Sequence, residues 1–182
     1  LKRACWLVEQ GELSRARHTL TGAALAPGTK GTLEVLTNPE RRPRTTLDPV
    51  PQEVLDFQPT EKVKLNKKLF LETLRRLPRG SAGGRSGLRF EHLKVALDQQ
   101  STMDFLYTVA QQVARAEVPE EAVEVLRTGN LVALRKADGG VRGIVVGDSL
   151  RRIVAKTLAK QYGQDFERAC APHQYALFTR AG

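Results

Sequence analysis

Cysteine is scarce in this sequence: Cys5 and Cys170 stand near opposite ends of 182 residues. Neither has a ligand pair close by, so a zinc site and a disulfide framework are both excluded and a reducing compartment is expected. No apolar run reaches transmembrane length. The chain opens Leu1-Lys2-Arg3, with no Met and no long apolar segment. That is no signal peptide; it looks like the start of a fragment. An intracellular setting, nuclear or cytoplasmic, with no membrane partner, follows. Acidic residues are also short, 20 against 29 Lys and Arg, leaving a formal net charge of +9. The imbalance favours an anionic partner, with nucleic acid as the default. Hydrophobic residues make up 41%, so the composition is not that of a disordered chain. The length allows one domain with a real core, or a small domain plus an extension.

What is present is organised around Leu131 to Val146. Two apolar runs flank Ala137-Asp138-Gly139-Gly140, whose glycines supply the positive φ angles of a tight turn, so the stretch reads as a β-hairpin. Arg135, Lys136 and Arg142 lie near its tip, with Asp138 alone to offset them. Such a tip is suited to phosphates, Arg offering a planar fork of donors and Lys a point charge. A solvated surface hairpin is the plain alternative. Asp148 and Ser149 then look like a helix start, with Leu150, Ile153, Val154 and Leu158 at helical spacing among Arg151, Arg152, Lys156 and Lys160. Lys160 to Ala169 is expected to continue that helix or a second turn of it.

Ahead of the hairpin the pattern is mostly helical. Ala4 to Gly22 reads as a helix or a pair broken at Gly11, with Leu7, Val8, Leu13, Ala16 and Leu20 on the apolar face and Trp6 as a core anchor. Thr29 or Thr32 is placed to cap a short helix through Leu33, Val35 and Leu36. From Asn38 to Pro59 five prolines and Arg41, Arg42 and Arg44 mark an extended linker. A boundary falls here, giving 1–60 as a helical extension with its Pro-rich linker and 61–182 as the main portion. Asn66 to Leu77 reads as an amphipathic helix that Pro78 ends. A Gly-rich loop follows, Arg79 to Lys94, opening into a helix capped by Ser86. Helix N-termini offer free N–H groups to anions, although this is no Walker loop, since the Gly-Lys-Ser/Thr ending is missing. The window Arg75 to Lys94 holds six Lys or Arg and one acidic residue, a net of +5. That density suits a loop tracking a phosphate backbone. Thr102 to Ala116 reads as a helix buried through Phe105, Leu106, Val109 and Val113, and Pro119 to Leu126 as another, with Glu120 and Glu121 in its first turn. The fold class expected is α+β, mostly α-helical, with one β-hairpin.

The order of strand, Lys136, Asp-Gly turn, Arg142-Gly143-Ile144, strand and basic helix resembles the fingers of reverse transcriptases, most closely those of non-LTR (LINE-type) retroelements. In that family the turn leads to an Arg-Pro-Ile strand, and the Lys and Arg contact the phosphates of the incoming nucleotide. The resemblance therefore implies that Lys136 and Arg142 bind dNTP phosphates. Ser81, Gly83, Ser86, Gly87, Glu91, His92, Leu93 and Lys94 fit a second family segment, which lies along the template strand. His92 is then a helix-packing residue and not a catalytic base. Gln174 and Tyr175 match a third, Pro-x-Gln-(Phe/Tyr)-Gly, with Ala176 in place of Gly. Template contacts are implied for Ser81, Gly83, Arg85, Ser86, Gly87 and Arg89, and for Gln174, Tyr175 and Arg180. The resemblance covers roughly Thr60 to Gly182.

The family polymerises with two Mg²⁺ ions held by palm aspartates. This sequence has no Asp-Asp dipeptide, and Asp138, Asp148 and Asp165 fall at turn, helix-cap and helix-face positions. The resemblance thus implies a fingers portion of an RNA-directed DNA polymerase, without palm or thumb. Its partners would be RNA template, RNA/DNA hybrid and dNTP. Mg²⁺ would belong to the complete enzyme, and no residue here would be catalytic. The alternative is a non-catalytic basic helical module that binds nucleic acid; a helical protein–protein adaptor with basic loops is a third reading.

Overall fold

A computed structural model describes residues 1–22, 24–40 and 49–172. Among them are ten α-helices, one short 3-10 helix and one antiparallel two-stranded hairpin, a mostly helical α+β fold. The chain divides into two units. One joins Leu1–Pro49 to Leu131–Val145, and the other joins Val50–Asn130 to Val146–Gly182.

In the first unit, Gly11 splits the N-terminal stretch into α1 (Lys2–Glu9) and α2 (Leu13–Thr21). Gly11 sits at φ +71°, a left-handed conformation that closes α1 and is natural only to glycine. Buried Ala4, Leu7 and Ala16 form the joint between the two helices. Trp6 is not the expected anchor, since 48% of it is exposed. It stands about 200° around the helix from Ala4 and about 100° from Leu7, off the stripe that meets α2.

The next helix, α3 (Lys30–Thr37), is capped by Thr29, whose side chain accepts from the Thr32 N–H at 3.3 Å. The hairpin strands are β1 (Gly129–Arg135) and β2 (Val141–Gly147). Within this unit residues 24–26 run antiparallel to β1: Leu25 bridges Leu134, Ala26 N–H donates to Ala133 O at 2.9 Å, and Arg135 N–H donates to Ala24 O at 2.8 Å. The hairpin loop has three residues and closes with Gly139 at φ +80°, the geometry of a type I turn followed by a glycine bulge. At Gly143 a Cβ would come within 3.3 Å of both the Leu131 and the Leu36 side chains, so glycine there makes room for them. An open groove of about 540 Å³ lies beside this sheet, lined by Leu25, Pro27, Leu33, Leu36 and Leu131, while Val145 is also exposed.

The second unit holds α4 (Gln52–Leu55), α5 (Lys67–Arg75) and α6 (Phe90–Lys94), then the 3-10 turn Val95–Asp98. There follow α7 (Gln100–Ala114), α8 (Glu120–Arg127), α9 (Ser149–Gln161) and α10 (Gly163–Cys170). The single turn of α4 sits in the stretch expected to be wholly extended. The core gathers Leu65, Phe70, Leu74, Leu77, Phe90, Leu93, Leu106, Ala110, Ile153 and Val154. In this core α9 packs on α5 and α7. Asn66 caps α5 by accepting from the Leu69 N–H at 2.9 Å. Tyr107 stacks edge-on with Phe70, centroids 6.2 Å apart, and its hydroxyl donates to Leu65 O at 2.6 Å.

Two expectations fail here. Phe105 is 71% exposed, because α7 turns Leu106, Ala110, Val113 and Ala114 inward, at spacings of three and four. The C-terminal helix also does not run on. It stops at Tyr162 and restarts as α10 at buried Gly163, the residue least suited to a helix interior after proline. No helix among the described residues is long and apolar enough to cross a membrane.

Leu74→Ala is expected to lower the unfolding free energy by about 3 kcal/mol, and Phe105→Ala by less than about 0.5 kcal/mol. Urea unfolding followed by circular dichroism distinguishes the two; equal losses would refute this assignment of the α7 face.

Candidate nucleic-acid interface

Two groups of the expected contact residues fall in different units. On the first unit, Arg135, Lys136 and Arg142 are exposed at the hairpin tip and form no ion pair among the described residues. Lys136 N–H donates to Gly140 O at 2.8 Å, which sets the strand register. Side chains alternate along each strand, so Lys136 and Arg142 share one face of the hairpin and Arg135 takes the other. Asp138 is turned to its own backbone, accepting from the Gly140 N–H at 2.8 Å. Among the described residues Asp138 makes no ion pair with either cation of that face.

On the second unit the Gly-rich loop is tied to the start of α9. Buried Asp148 caps that helix by accepting from the Leu150 N–H at 2.9 Å, and its other oxygen accepts from the Ser86 hydroxyl. Ser149, also buried, donates to Leu88 O at 2.6 Å. Asn130 donates to Gly83 O at 3.3 Å and Gly84 O at 2.9 Å. Arg152 donates to Ala82 O at 2.8 Å and lies 4.5 Å over the Phe90 ring. A Cβ on Gly84 would stand 2.6 Å from the Asp148 backbone, so only glycine lets the loop lie this close.

This arrangement corrects the expected role of Ser86. The helix begins three residues later, with Arg89 at the cap position. Gly87 at φ +72° breaks the backbone before it, and the Ser86 hydroxyl is taken up by Asp148 while accepting from the Leu88 N–H at 3.1 Å. His92 is exposed instead of packed, and its Nδ1 accepts from the Arg89 N–H at 3.4 Å. Asn130, Asp148 and Arg152 were not among the expected contact residues. Only the Asp148-Ser149 helix start signalled any of them.

Much of the basic charge of this unit is spent internally. Arg151 donates to Leu126 O and Arg127 O at the end of α8, at 3.1 and 3.2 Å. Lys94 donates to Arg75 O and Leu77 O past the end of α5, at 3.0 and 2.6 Å. Lys160 donates to Thr73 and Arg115 to Val63 O. Cations at helix C-termini complete unpaired carbonyls and complement the dipole. The side chains of Arg75, Arg76, Arg79, Arg85 and Lys156 are exposed, with no hydrogen bond or ion pair among the described residues.

Glu91 is held by the Gly80 N–H, while its second oxygen is buried with no hydrogen-bond partner among the described residues. Burial pushes its pKa up, but the Gly80 and backbone hydrogen bonds and the charges of Arg89 and His92 outweigh that and hold it below the usual carboxylate value. Gln174, Tyr175 and Arg180 lie outside the described residues, as do Arg41, Arg42 and Arg44. Among the described residues no cluster of three or more His, Cys, Asp or Glu could hold a metal ion, so the Mg²⁺ of the resembling enzymes finds no ligand set in them.

No protein-family model matches the chain, and comparison with curated proteins and with solved structures finds no match.

Gly84→Ala is expected to cost about 2 kcal/mol of stability, since backbone must move to admit the methyl group. Gly31→Ala, in open space within α3, should be neutral or stabilising by up to about 1 kcal/mol. Equal effects in a paired unfolding measurement would overturn the close approach. Glu91→Gln supplies a pH test. Because the folded pKa is depressed, the Glu91 contribution is full above the unfolded value of about 4.3 and lost as pH falls through the folded value. The stability gap between wild type and variant should therefore close in acid; a gap that is constant with pH would show that Glu91 acts through packing alone.

Proposed function

We propose that this chain is the fingers portion of a non-LTR-type reverse transcriptase, carrying elements that contact template and dNTP phosphates without the catalytic aspartates. The observation that carries the reading is the hairpin tip: Lys136 and Arg142 on one face, both exposed and without an acidic partner among the described residues. Two such cations can take adjacent phosphate oxygens of a triphosphate, Arg by its fork and Lys as a point charge. Charge held there would screen what builds up in phosphoryl transfer. The loop from Ser81 to Arg89 would carry the template, and Gln174, Tyr175 and Arg180 the templating base. Single-stranded or A-form RNA is the expected partner.

A second reading, a non-catalytic module that binds nucleic acid, is favoured by Arg75, Arg76, Arg79 and Arg85, whose exposed side chains have no partner among the described residues. Its affinity would fall with salt and would not respond to nucleotide.

The two separate on triphosphate binding. Lys136→Ala with Arg142→Ala is expected to weaken dNTP binding by at least about tenfold, the worth of two lost charge-assisted contacts. Oligonucleotide binding should stay within about twofold, because the loop cations are untouched. A wild-type chain indifferent to dNTP would overturn the polymerase reading in favour of the module. The 182 residues are expected to bind without extending a primer; Mg²⁺-dependent extension would show that the catalytic residues had been missed.

A further inference from the structure

Three successive carbonyls of the Gly-rich loop face side chains of their own unit. Ala82 O accepts from Arg152, Gly83 O and Gly84 O both accept from the Asn130 amide, and Gly84 O accepts as well from the Gly87 N–H at 3.2 Å. In a planar trans peptide the C=O of one residue and the N–H of the next point opposite ways. Turning these carbonyls toward Arg152 and Asn130 turns the N–H groups of Gly83, Gly84 and Arg85 away from them. None of the three donates to an acceptor among the described residues. A backbone N–H seeks an acceptor, and successive N–H groups without one concentrate positive partial charge. The exposed Arg85 side chain, with no partner among the described residues, stands on the same segment.

We propose that the N–H groups of Gly83, Gly84 and Arg85 form a receptor for a phosphate oxyanion, with the Arg85 guanidinium as its charge. Asn130 and Arg152 are its positioning residues: they touch no ligand and set the peptide planes that do. The receptor does not depend on the helix α6, which has five residues and begins beyond the loop. Whether the phosphate belongs to a nucleic-acid strand or is free rests on the function proposed above; the receptor itself does not.

The test follows the amide signals of the isotopically labelled full chain during titration with inorganic phosphate and, separately, with a short oligouridylate. The Gly83, Gly84 and Arg85 amide protons should move downfield. Movement with the oligonucleotide alone supports a phosphodiester ligand; movement with both supports a free or terminal phosphate. No movement of these three amides with either probe overturns the receptor and leaves the triphosphate test on Lys136 and Arg142 standing. Asn130→Ala should abolish the Gly84 response, since Gly83 O has no other donor among the described residues, and weaken oligouridylate binding by about fivefold. The slope of log affinity against log salt should stay unchanged, because no cation is removed. Arg85→Ala should lower that slope by about 0.7. An Asn130→Ala chain with wild-type amide responses refutes the positioning role. If that variant does not fold, the wild-type titration still decides the receptor.

Discussion

One buried side chain holds the candidate interface of the second unit in shape. Asp148 is 2% exposed and uses both carboxyl oxygens, one on the first free N–H of α9 and one on the Ser86 hydroxyl. A helix cap satisfies a backbone donor that the helix cannot satisfy itself. Here the same group also reaches across 62 positions of sequence to the loop. Ser149 repeats the tie at Leu88, so two adjacent residues at one helix start hold both sides of Gly87. Removing the Ser86 hydroxyl would leave an oxygen of buried Asp148 unsatisfied, which costs more than the bond contributes. The glycine at position 84 is a consequence of this join, because the loop backbone rests on the backbone at Asp148.

The same economy governs the cations. A net charge of +9 suggests a surface made for polyanions. Yet Arg151, Arg152, Lys94, Arg115 and Lys160 donate to oxygens of their own unit, four of them to main-chain carbonyls. A guanidinium or ammonium bound to a carbonyl keeps its charge, so the long-range field persists. Its donors are committed, however, and close contact with a phosphate would first have to break those bonds. The cations fall into two classes that composition cannot separate, those that hold carbonyls and those that remain available.

Local chemistry made much of the fold legible. The Asp-Gly-Gly turn, the Thr29 cap, the break at Gly11 and the Asp148 helix start follow from backbone preferences of a few adjacent residues. Two of the expectations that failed concern which side of a helix meets a neighbour. Trp6 and Phe105 are large and apolar, yet the stripe that packs is chosen by tertiary partners, and small residues such as Ala4, Ala16 and Ala110 took those places. Ser86 failed for a related reason: its best partner, Asp148, is close in space only. The positioning of the loop by Asn130 and Arg152 could not be read from spacing, because those residues lie 46 and 70 positions from the carbonyls they hold.

The two candidate anion sites use different physics. At the hairpin, binding would rest on the ends of long side chains in open solvent, where charge is screened within about 8 Å at physiological salt and each contact requires ordering a flexible chain. At the loop, it would rest on peptide N–H groups whose orientation is already set by Asn130 and Arg152. A receptor of the second kind loses little conformational entropy on binding and discriminates by geometry, since its donors cannot move to follow the ligand. The first kind follows its ligand and is suited to a phosphate chain that must arrive and leave. The two kinds of site therefore differ in what they would hold: a clasped loop suits a ligand kept in one geometry, and a free basic hairpin suits one that exchanges.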